Sequence, residues 1–209
     1  DTTLFFTNRV FTFSCLASLI IYTATFANVV QVNLYLQYLK GFSATAAGAI
    51  VMCQPITMAI FSPLAGKLAD KFEPKYLSTI GMAITCCGLI MLSNLEIDSE
   101  LNYLILSLVI TGFGFSLFSP PNVNAIMGSV EKKFYGSATG AMATMRIIGQ
   151  MSSMVLVTLI FALIIGNVDI NQENYGALES AIRIIFAISA ILCIPGLYLS
   201  MARGNFIRT

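Results

Sequence analysis

The spacing of charged side chains constrains this 209-residue chain more than any other feature of its sequence. Six stretches contain no Asp, Glu, Lys or Arg, and they are residues 10–39, 41–66, 76–95, 101–130, 147–168 and 184–202. A helix needs about 20 apolar residues to cross a hydrocarbon layer about 30 Å thick, and every stretch comes close to that length or exceeds it. The stretches are continuous rather than alternating, so they are not the strands of a membrane barrel. The pattern predicts six transmembrane helices near residues 10–37, 44–66, 75–95, 101–126, 136–165 and 178–201.

The composition excludes a water-soluble globule and several functions. Charged residues make up 10% of the chain and hydrophobic residues 57%, whereas soluble domains average about 25% and about 45–50%. The chain has no histidine, and its five cysteines all lie in apolar stretches, so nothing indicates a metal site, a disulfide framework or a cofactor. The net charge of +1 gives no reason to expect a nucleic-acid partner. We therefore expect an all-α integral membrane protein that lies in a lipid bilayer, with no cofactor and no enzyme activity.

Basic residues between the predicted helices lie almost entirely on one side of the membrane. One side, which we name the basic end, carries eight of them: Arg9, Lys67, Lys71, Lys75, Lys132, Lys133, Arg203 and Arg208. The opposite side, the acidic end, carries Lys40 together with the acidic segments 96–100 and 169–179. Loops rich in Lys and Arg stay on the cytoplasmic side. We therefore expect a multi-pass protein of the cell membrane with both ends of the chain in the cytoplasm.

The beginning of the chain indicates that it is a piece of something longer. Residue 1 is Asp rather than Met, it lies one short turn before the first predicted helix, and no signal-peptide pattern is present. No soluble domain or linker interrupts the helices. We expect residues 1–209 to be one transmembrane bundle of a larger protein whose N-terminal part is absent.

Asn and Gln residues are distributed over the six helices in a pattern that occurs twice. The first three helices contain several, one and none, and so do the last three; the residues are Asn28, Gln31, Asn33, Gln37, Gln54, Asn122, Asn124 and Gln150. Amides are costly in hydrocarbon, so they mark helices that face protein or water. Two three-helix units of opposite orientation would produce this pattern, as in the inverted repeats of secondary transporters. A chance arrangement of a few amides is the alternative.

The polar stripe on the first helix and one deep arginine are the strongest candidates for a functional site. Asn28, Gln31 and Tyr35 follow at i, i+3 and i+7 and share one face; they form either a wall of an aqueous cavity or a set of interhelical hydrogen bonds. Arg146 lies about 15 Å into the fifth helix at 1.5 Å per residue, so it faces a cavity or a partner unless it reaches the interface by snorkelling. Our candidates for a substrate path are Asn28, Gln31, Tyr35, Gln54, Phe115, Asn122, Arg146 and Gln150.

Two shorter patterns predict local packing. Gly136 and Gly140 form a small-xxx-small face on which another helix can approach closely. Arg183 has Glu179 one turn before it, and this pair explains a charge inside the last predicted helix without a functional role.

The segment between the second and third predicted helices resembles a known cytoplasmic loop motif. Residues 66–75 are similar to the G-x-L-a-D-[RK]-x-G-[RK]-[RK] motif of the major facilitator superfamily, and the fitting residues are Gly66, Leu68, Asp70, Lys71 and Lys75. Glu73 and Pro74 depart from the motif. Segments 35–37, 41–48, 63–66, 112–122 and 140–150 resemble the fourteen-helix drug:proton antiporters of the EmrB/QacA type.

This resemblance implies a fold and a mechanism. It identifies residues 1–209 as the C-terminal six-helix half of a major facilitator fold, a secondary transporter that works by alternating access and whose N-terminal bundle is missing. The first and fourth helices would line the cavity, the second and fifth would contact the other bundle, and the third and sixth would face lipid. Asp70 would act as a latch between bundles. The implied activity is proton-coupled export of drugs or amphipathic small molecules; a selective metabolite or sugar carrier is the first alternative, and a six-helix channel or scaffold the second.

Overall fold

Six long apolar helices account for nearly all of the residues that the structure describes. A computed structural model of the chain describes residues 8–166 and 174–204. The helices are α1 (Arg9–Leu39), α2 (Ala44–Lys71), α3 (Pro74–Ser93), α4 (Leu101–Gly128), α5 (Tyr135–Ile164) and α6 (Tyr175–Ala202). Each is long and apolar enough to cross a membrane, and the described ranges contain no β-strand. The prediction of an all-α, six-helix membrane protein is confirmed. Asp169 and Arg208, which entered the orientation argument, lie outside the described residues.

Local sequence signals begin several of these helices. The Asn8 side chain accepts a hydrogen bond from the Phe11 amide at 3.1 Å, and the Ser43 hydroxyl accepts one from the Ala46 amide at 3.3 Å. Both are N-cap contacts that satisfy an amide with no partner inside the helix. Pro74 occupies the first position of α3, where its fixed φ suits a helix and its missing N–H is not needed.

The motif between α2 and α3 is helical, which corrects the prediction that it forms a loop. The predicted helix ends near residue 66, but α2 continues to Lys71, and Pro63 lies inside it. Pro74 disfavours a helical conformation at the preceding residue, Glu73, so the helix ends just before that point. Phe72 adopts extended backbone angles, φ −112° and ψ 155°, and Pro74 then starts α3. All five motif residues therefore lie in helices, namely Gly66, Leu68, Asp70 and Lys71 in the end of α2 and Lys75 in the first turn of α3.

The helices pack in a pattern that an exchange of the two halves leaves unchanged. α1 packs against α5 and α6, and α4 packs against α2 and α3. α1 also contacts α4, and α3 contacts α6. Replacing the first, second and third helices by the fourth, fifth and sixth gives the same set of neighbours. Since three helices reverse the chain direction, these are two inverted three-helix repeats, as the amide pattern predicts.

Glycines allow the closest contacts between the helices. A Cβ atom on Gly114 of α4 would lie 2.4 Å from the Thr85 nitrogen, and one on Gly81 of α3 would lie 2.5 Å from the Phe118 nitrogen. Gly149 places α5 equally close to α1, where its Cβ would lie 2.6 Å from the Leu19 carbonyl oxygen. These helix crossings have no room for a side chain.

α2 and α5 each present an exposed apolar stripe to the outside of the bundle. The exposed residues recur every four positions, with Met52, Ile56, Ile60, Leu64 and Leu68 on α2 and Met151, Val155, Leu159 and Leu163 on α5. Residues four apart form a straight ridge along a helix. α1 and α4, in contrast, are the most buried of the six helices, so the bundle has α1 and α4 at its centre.

Candidate functional site

A cavity of about 300 Å³ lies between α1, α4 and α5. Its wall includes Ser18 and Tyr22 of α1, Phe118 and Asn122 of α4, and Thr139 and Arg146 of α5. These residues come from the first half of α1 and of α5 and from the last part of α4, so the cavity lies toward the basic end. Two residues of the predicted path, Asn122 and Arg146, are part of its wall. A third, Phe115, packs edge-on against the Tyr22 ring at a centroid distance of 5.4 Å.

Arg146 is the charged residue of this cavity. It lies eleven residues after Tyr135, the first residue of α5, which is about 16 Å along the helix. Its side chain is exposed and borders the cavity rather than the packed interior. Arg146 thus borders a cavity in the structure, while its depth in the membrane and its role in a substrate path stay predictions.

Asn122 is fully buried and makes hydrogen bonds with all of its polar atoms. Its Nδ2 donates to the Ser14 carbonyl oxygen at 3.0 Å and to the Ser18 hydroxyl at 2.8 Å. Its Oδ1 accepts from Nη1 of Arg203 at 3.0 Å. These three contacts hold the amide in a single orientation, so Asn122 is a rigid part of the cavity wall.

Arg203 differs from the prediction in its burial. The sequence predicts a loop charge of the basic end, and the residue does lie at that end, but its side chain is only 2% exposed. Besides Asn122 of α4 it donates to the hydroxyls of Ser14 on α1 and Ser78 on α3, both at 3.2 Å. One guanidinium at the end of α6 therefore connects four helices. In the sequence, only its position directly after a long apolar helix indicates that Arg203 could be buried, because its three acceptors are distant along the chain.

Arg203 remains positively charged although its side chain is buried. Loss of hydration lowers the pKa of the Arg203 guanidinium from its ordinary value to about 10, and the Glu73 carboxylate opposes this shift. The side chain therefore remains protonated at neutral pH. A charged donor makes stronger hydrogen bonds than a neutral one.

The predicted polar residues of α1 and α2 lie inside the bundle, away from the cavity wall. Asn28, Gln31 and Gln54 are all at least nine-tenths buried. Both polar side-chain atoms of Asn28 and the side-chain oxygens of Gln31 and Gln54 lack a hydrogen-bond partner among the described residues. We call these three residues the unpaired amides.

Each group of unpaired amides follows a break in its helix. α1 is interrupted at Phe26 and Ala27, directly before Asn28, and the Ser153 hydroxyl of α5 accepts a hydrogen bond from the Ala27 amide at 3.1 Å. α2 is interrupted at Met52, two residues before Gln54. Pro55 follows and has no N–H to donate. Irregular backbone at membrane depth is tolerated where it lies within protein or lines a cavity.

The remaining path candidates lie in other places. The Tyr35 hydroxyl donates to the Glu96 carbonyl oxygen at 2.6 Å, and Tyr35 borders a second cavity of about 310 Å³ at the acidic end together with Lys40 and Asp98. Gln150 is half-buried on α5, next to the close contact at Gly149. The eight predicted residues therefore do not form one site: Asn122 and Arg146 line the cavity, and three others are the unpaired amides. The remaining three, Tyr35, Phe115 and Gln150, lie elsewhere in the bundle.

The loop-motif residues and the pair Glu179 and Arg183 lie outside the cavity. Leu68, Asp70 and Lys71 are exposed at the end of α2, so the latch role of Asp70 stays a prediction. Arg183 lies 3.8 Å from Glu179, as its spacing predicts, and equally far from Glu96. Within residues 8–166 and 174–204, no three His, Cys, Asp or Glu side chains come together to bind a metal ion.

A bundle of six helices in two inverted repeats, with unpaired amides in its interior and an arginine-lined cavity toward its basic end, is typical of polytopic membrane transporters. The sequence model of the Major Facilitator Superfamily matches residues 14–204. The chain therefore belongs to the major facilitator superfamily.

Several characterised and uncharacterised transporters are similar in sequence. An uncharacterized transporter of Escherichia coli K12, YebQ, is 28% identical over 195 residues, which is 93% of this chain and 41% of the relative. The riboflavin transporter RibZ of Clostridioides difficile is 33% identical over 68% of this chain and 31% of the relative. The multidrug transporter MdtP of Bacillus subtilis is 29% identical over 69% and 27%. The chain thus spans less than half the length of these relatives.

Proposed function

We propose that the chain is the C-terminal half of a secondary transporter that exports amphipathic small molecules or drugs in exchange for protons, by alternating access. It would lie in the cell membrane with its basic end in the cytoplasm, paired with an N-terminal bundle of the same protein. Membership of the superfamily supports transport, and the likeness to MdtP supports a drug-like substrate. The chain has no proposed catalytic role.

The unpaired amides carry this proposal. A buried polar atom without a partner costs about 1–3 kcal/mol, so a packed core gains by replacing it. Four such atoms occur on Asn28, Gln31 and Gln54, each beside a helix break. In a transporter these atoms have a use, because a substrate or water that enters in another conformation provides the missing partners.

The exposed stripes on α2 and α5 support the second bundle. Each stripe is a row of large apolar side chains at four-residue spacing, and the glycine pair Gly136 and Gly140 has open space in front of both Cα atoms. Gly140 lies eleven residues before Met151, which is three helical turns, so the glycines continue the α5 stripe. A surface of this kind accepts other helices closely.

The experiment uses opposite effects on stability and on transport. In the full-length protein, Gln31→Met and Gln54→Met each remove an unpaired oxygen at nearly constant volume. We expect ethidium efflux to fall at least about tenfold. The thermal midpoint in detergent should stay equal or rise, because residues that are kept for function often lower the stability of the folded protein.

Gln37→Met is the matched control, because Gln37 is only half-buried and already bonds to Asn33; its efflux should stay normal. Efflux should also disappear when a protonophore collapses the pH gradient. Normal efflux in both buried variants, or a parallel loss of stability and transport, would show that the unpaired amides are not the substrate path. Efflux that is unchanged by the protonophore would show that transport is not coupled to protons.

A selective carrier is the second candidate, and the similarity to a riboflavin transporter favours it. The two candidates differ in breadth. A selective carrier would transport riboflavin and leave ethidium and other dyes untouched, whereas a drug exporter would transport several unrelated dyes. Transport of a panel of dyes and of riboflavin by the same proteoliposomes separates them.

A further inference from the structure

The described wall of the cavity between α1, α4 and α5 carries positive charge and no negative charge. Arg146 lies in its wall, and none of the described lining residues is acidic. The other polar groups of the wall are the amide of Asn122 and the hydroxyls of Ser18, Tyr22, Ser119 and Thr139. A volume of about 300 Å³ is enough for a small organic ligand.

A second positive charge lies directly behind this wall. The buried Arg203 guanidinium is 3.0 Å from Oδ1 of Asn122, and Asn122 is itself a lining residue. Glu73, at the connection between α2 and α3, offsets part of this charge, but it is not among the residues that line the cavity. Away from bulk water, such charges act more strongly than they do at the surface. The potential inside the cavity is therefore positive.

Arg146 is the main partner for a ligand, because the hydrogen-bonding atoms of Asn122 are already used within the protein. The Asn122 amide is already used by Ser14, Ser18 and Arg203, so it forms a wall rather than a binding group. Arg146 is exposed to the cavity, and a guanidinium binds a carboxylate through two parallel hydrogen bonds. The partly exposed side chains of Tyr22 and Met142 add an apolar surface beside it.

We propose that this cavity binds an organic anion, with the anionic oxygens on Arg146 and an aromatic or apolar body against Tyr22 and Met142. This inference rests on the proposed function and assigns a ligand class to this cavity alone, which is separate from the unpaired amides that the ethidium experiment tests. An amphipathic acid satisfies the arginine without a carboxylate from the protein. A cationic ligand would meet an unfavourable potential in the same place.

Three probes that share one ring system test the charge preference. They are 2-naphthoate, 2-naphthamide and 2-(aminomethyl)naphthalene, measured by competition against radiolabelled 2-naphthoate on the full-length protein in nanodiscs. We expect the anion to bind at least about tenfold more tightly than the amide and the cation not to compete. Arg146→Gln should remove the preference and Arg146→Lys should keep part of it. Lys132→Gln, which removes a positive charge from the exposed connection before α5, should keep all of it.

Reaction rates provide a measurement that does not depend on ligand affinity. In a full-length variant with its native cysteines replaced, Thr139→Cys should react faster with an anionic sulfonatoethyl methanethiosulfonate than with its cationic trimethylammonioethyl counterpart. Arg146→Gln should reduce that ratio at least about threefold, because the attraction depends on the local potential. Thr144→Cys, exposed on α5 but outside the cavity wall, should show no change.

The outcomes are distinct. The anion site would be overturned if the anion bound no more tightly than the amide or the cation, if the preference for the anion persisted in Arg146→Gln, or if 2-naphthoate showed no saturable binding. Each of these results would count against the site even if efflux of cationic dyes supports the proposed transport. A carboxylate from the N-terminal bundle paired with Arg146 would produce the first of these results. Conversely, Arg146-dependent binding of 2-naphthoate with normal efflux in the Gln31 and Gln54 variants would keep the anion site and refute the proposed path.

Discussion

A single buried guanidinium holds together the basic end of this bundle. Arg203 reaches acceptors on α1, α3 and α4 from the end of α6. Because it is charged and buried, its hydrogen bonds contribute more than those of a neutral donor, and losing them leaves three acceptors unsatisfied. Arg183 at the acidic end is different, since it is partly exposed and its two carboxylates lie 3.8 Å away. Such exposed pairs contribute little to stability.

Replacing Arg203 should therefore destabilise the protein more than replacing an exposed cation. We expect Arg203→Gln in the full-length protein to lower the free energy of unfolding by about 2 kcal/mol or more, since a shorter neutral side chain cannot reach three helices. Lys132→Gln removes the same charge from an exposed position and should have almost no effect. Denaturation in detergent micelles measures both; equal stability of the two variants would mean that the Arg203 contacts contribute nothing.

The pH dependence of this effect follows from the direction of the pKa shift. The pKa of Arg203 is about 10 in the folded protein, below its ordinary value, so the unfolded chain binds this proton more tightly. Protonation therefore opposes folding below about pH 10, and this opposition decreases only as the pH rises above 10. The destabilisation by Arg203→Gln should accordingly be constant from about pH 6 to about pH 8.5. A slope in that interval would show that another group titrates with Arg203.

At the scale of the helices, glycine positions decide which elements can approach. α3 and α4 cross where Gly81 and Gly114 face each other's backbone, and Gly88 meets Thr111 further along. The long uncharged stretches predict that these helices exist, but not which glycines lie at a crossing. Gly136 and Gly140 look like a packing face in the sequence and are open in the structure, whereas Gly112 and Gly114 are in close contact.

This difference leads to a matched pair of alanine variants. Gly114→Ala places a Cβ atom 2.4 Å from the Thr85 backbone nitrogen, which only a shift of α3 can relieve, so we expect a loss of about 1–3 kcal/mol. Gly176→Ala introduces the same atom on α6 where nothing lies within 4 Å, and it should be neutral or slightly stabilising. Thermal unfolding of the two full-length variants gives the comparison. A neutral Gly114→Ala would contradict the close α3–α4 crossing.

The breaks in α1 and α2 depend on contacts between elements. Pro55 indicates a weak point in α2 from sequence alone. The break at Phe26 and Ala27 has no proline or glycine, and it is stabilised by the Ser153 hydroxyl, which lies 126 residues away in the chain. The extension of α2 to Lys71, in contrast, follows local rules, because the first residue with extended backbone angles is Phe72.

At the scale of the whole molecule, the exposed α2 and α5 stripes are where a further bundle of the same protein would pack. We expect Gly140→Leu in the full-length protein to reduce both transport and thermal stability, because the side chain occupies the open face that another helix would approach. Gly176→Leu, on α6 near the acidic end, is the control and should leave both unchanged. If Gly140→Leu behaves like its control, the second bundle does not contact this part of α5.

The sequence by itself determined the membrane fold, the six helices and the inverted repeat. These properties depend on the cost of placing charges and amides in hydrocarbon, and that cost acts on each residue separately. The sequence also determined how far along α5 Arg146 lies, because that distance depends only on the helix start and the rise per residue. Which polar residues share a cavity, which amides remain unpaired and where the Arg203 side chain lies depend on distances between helices. Only the tertiary structure decided these, since the partners of Arg203 are between 81 and 189 residues away in the chain.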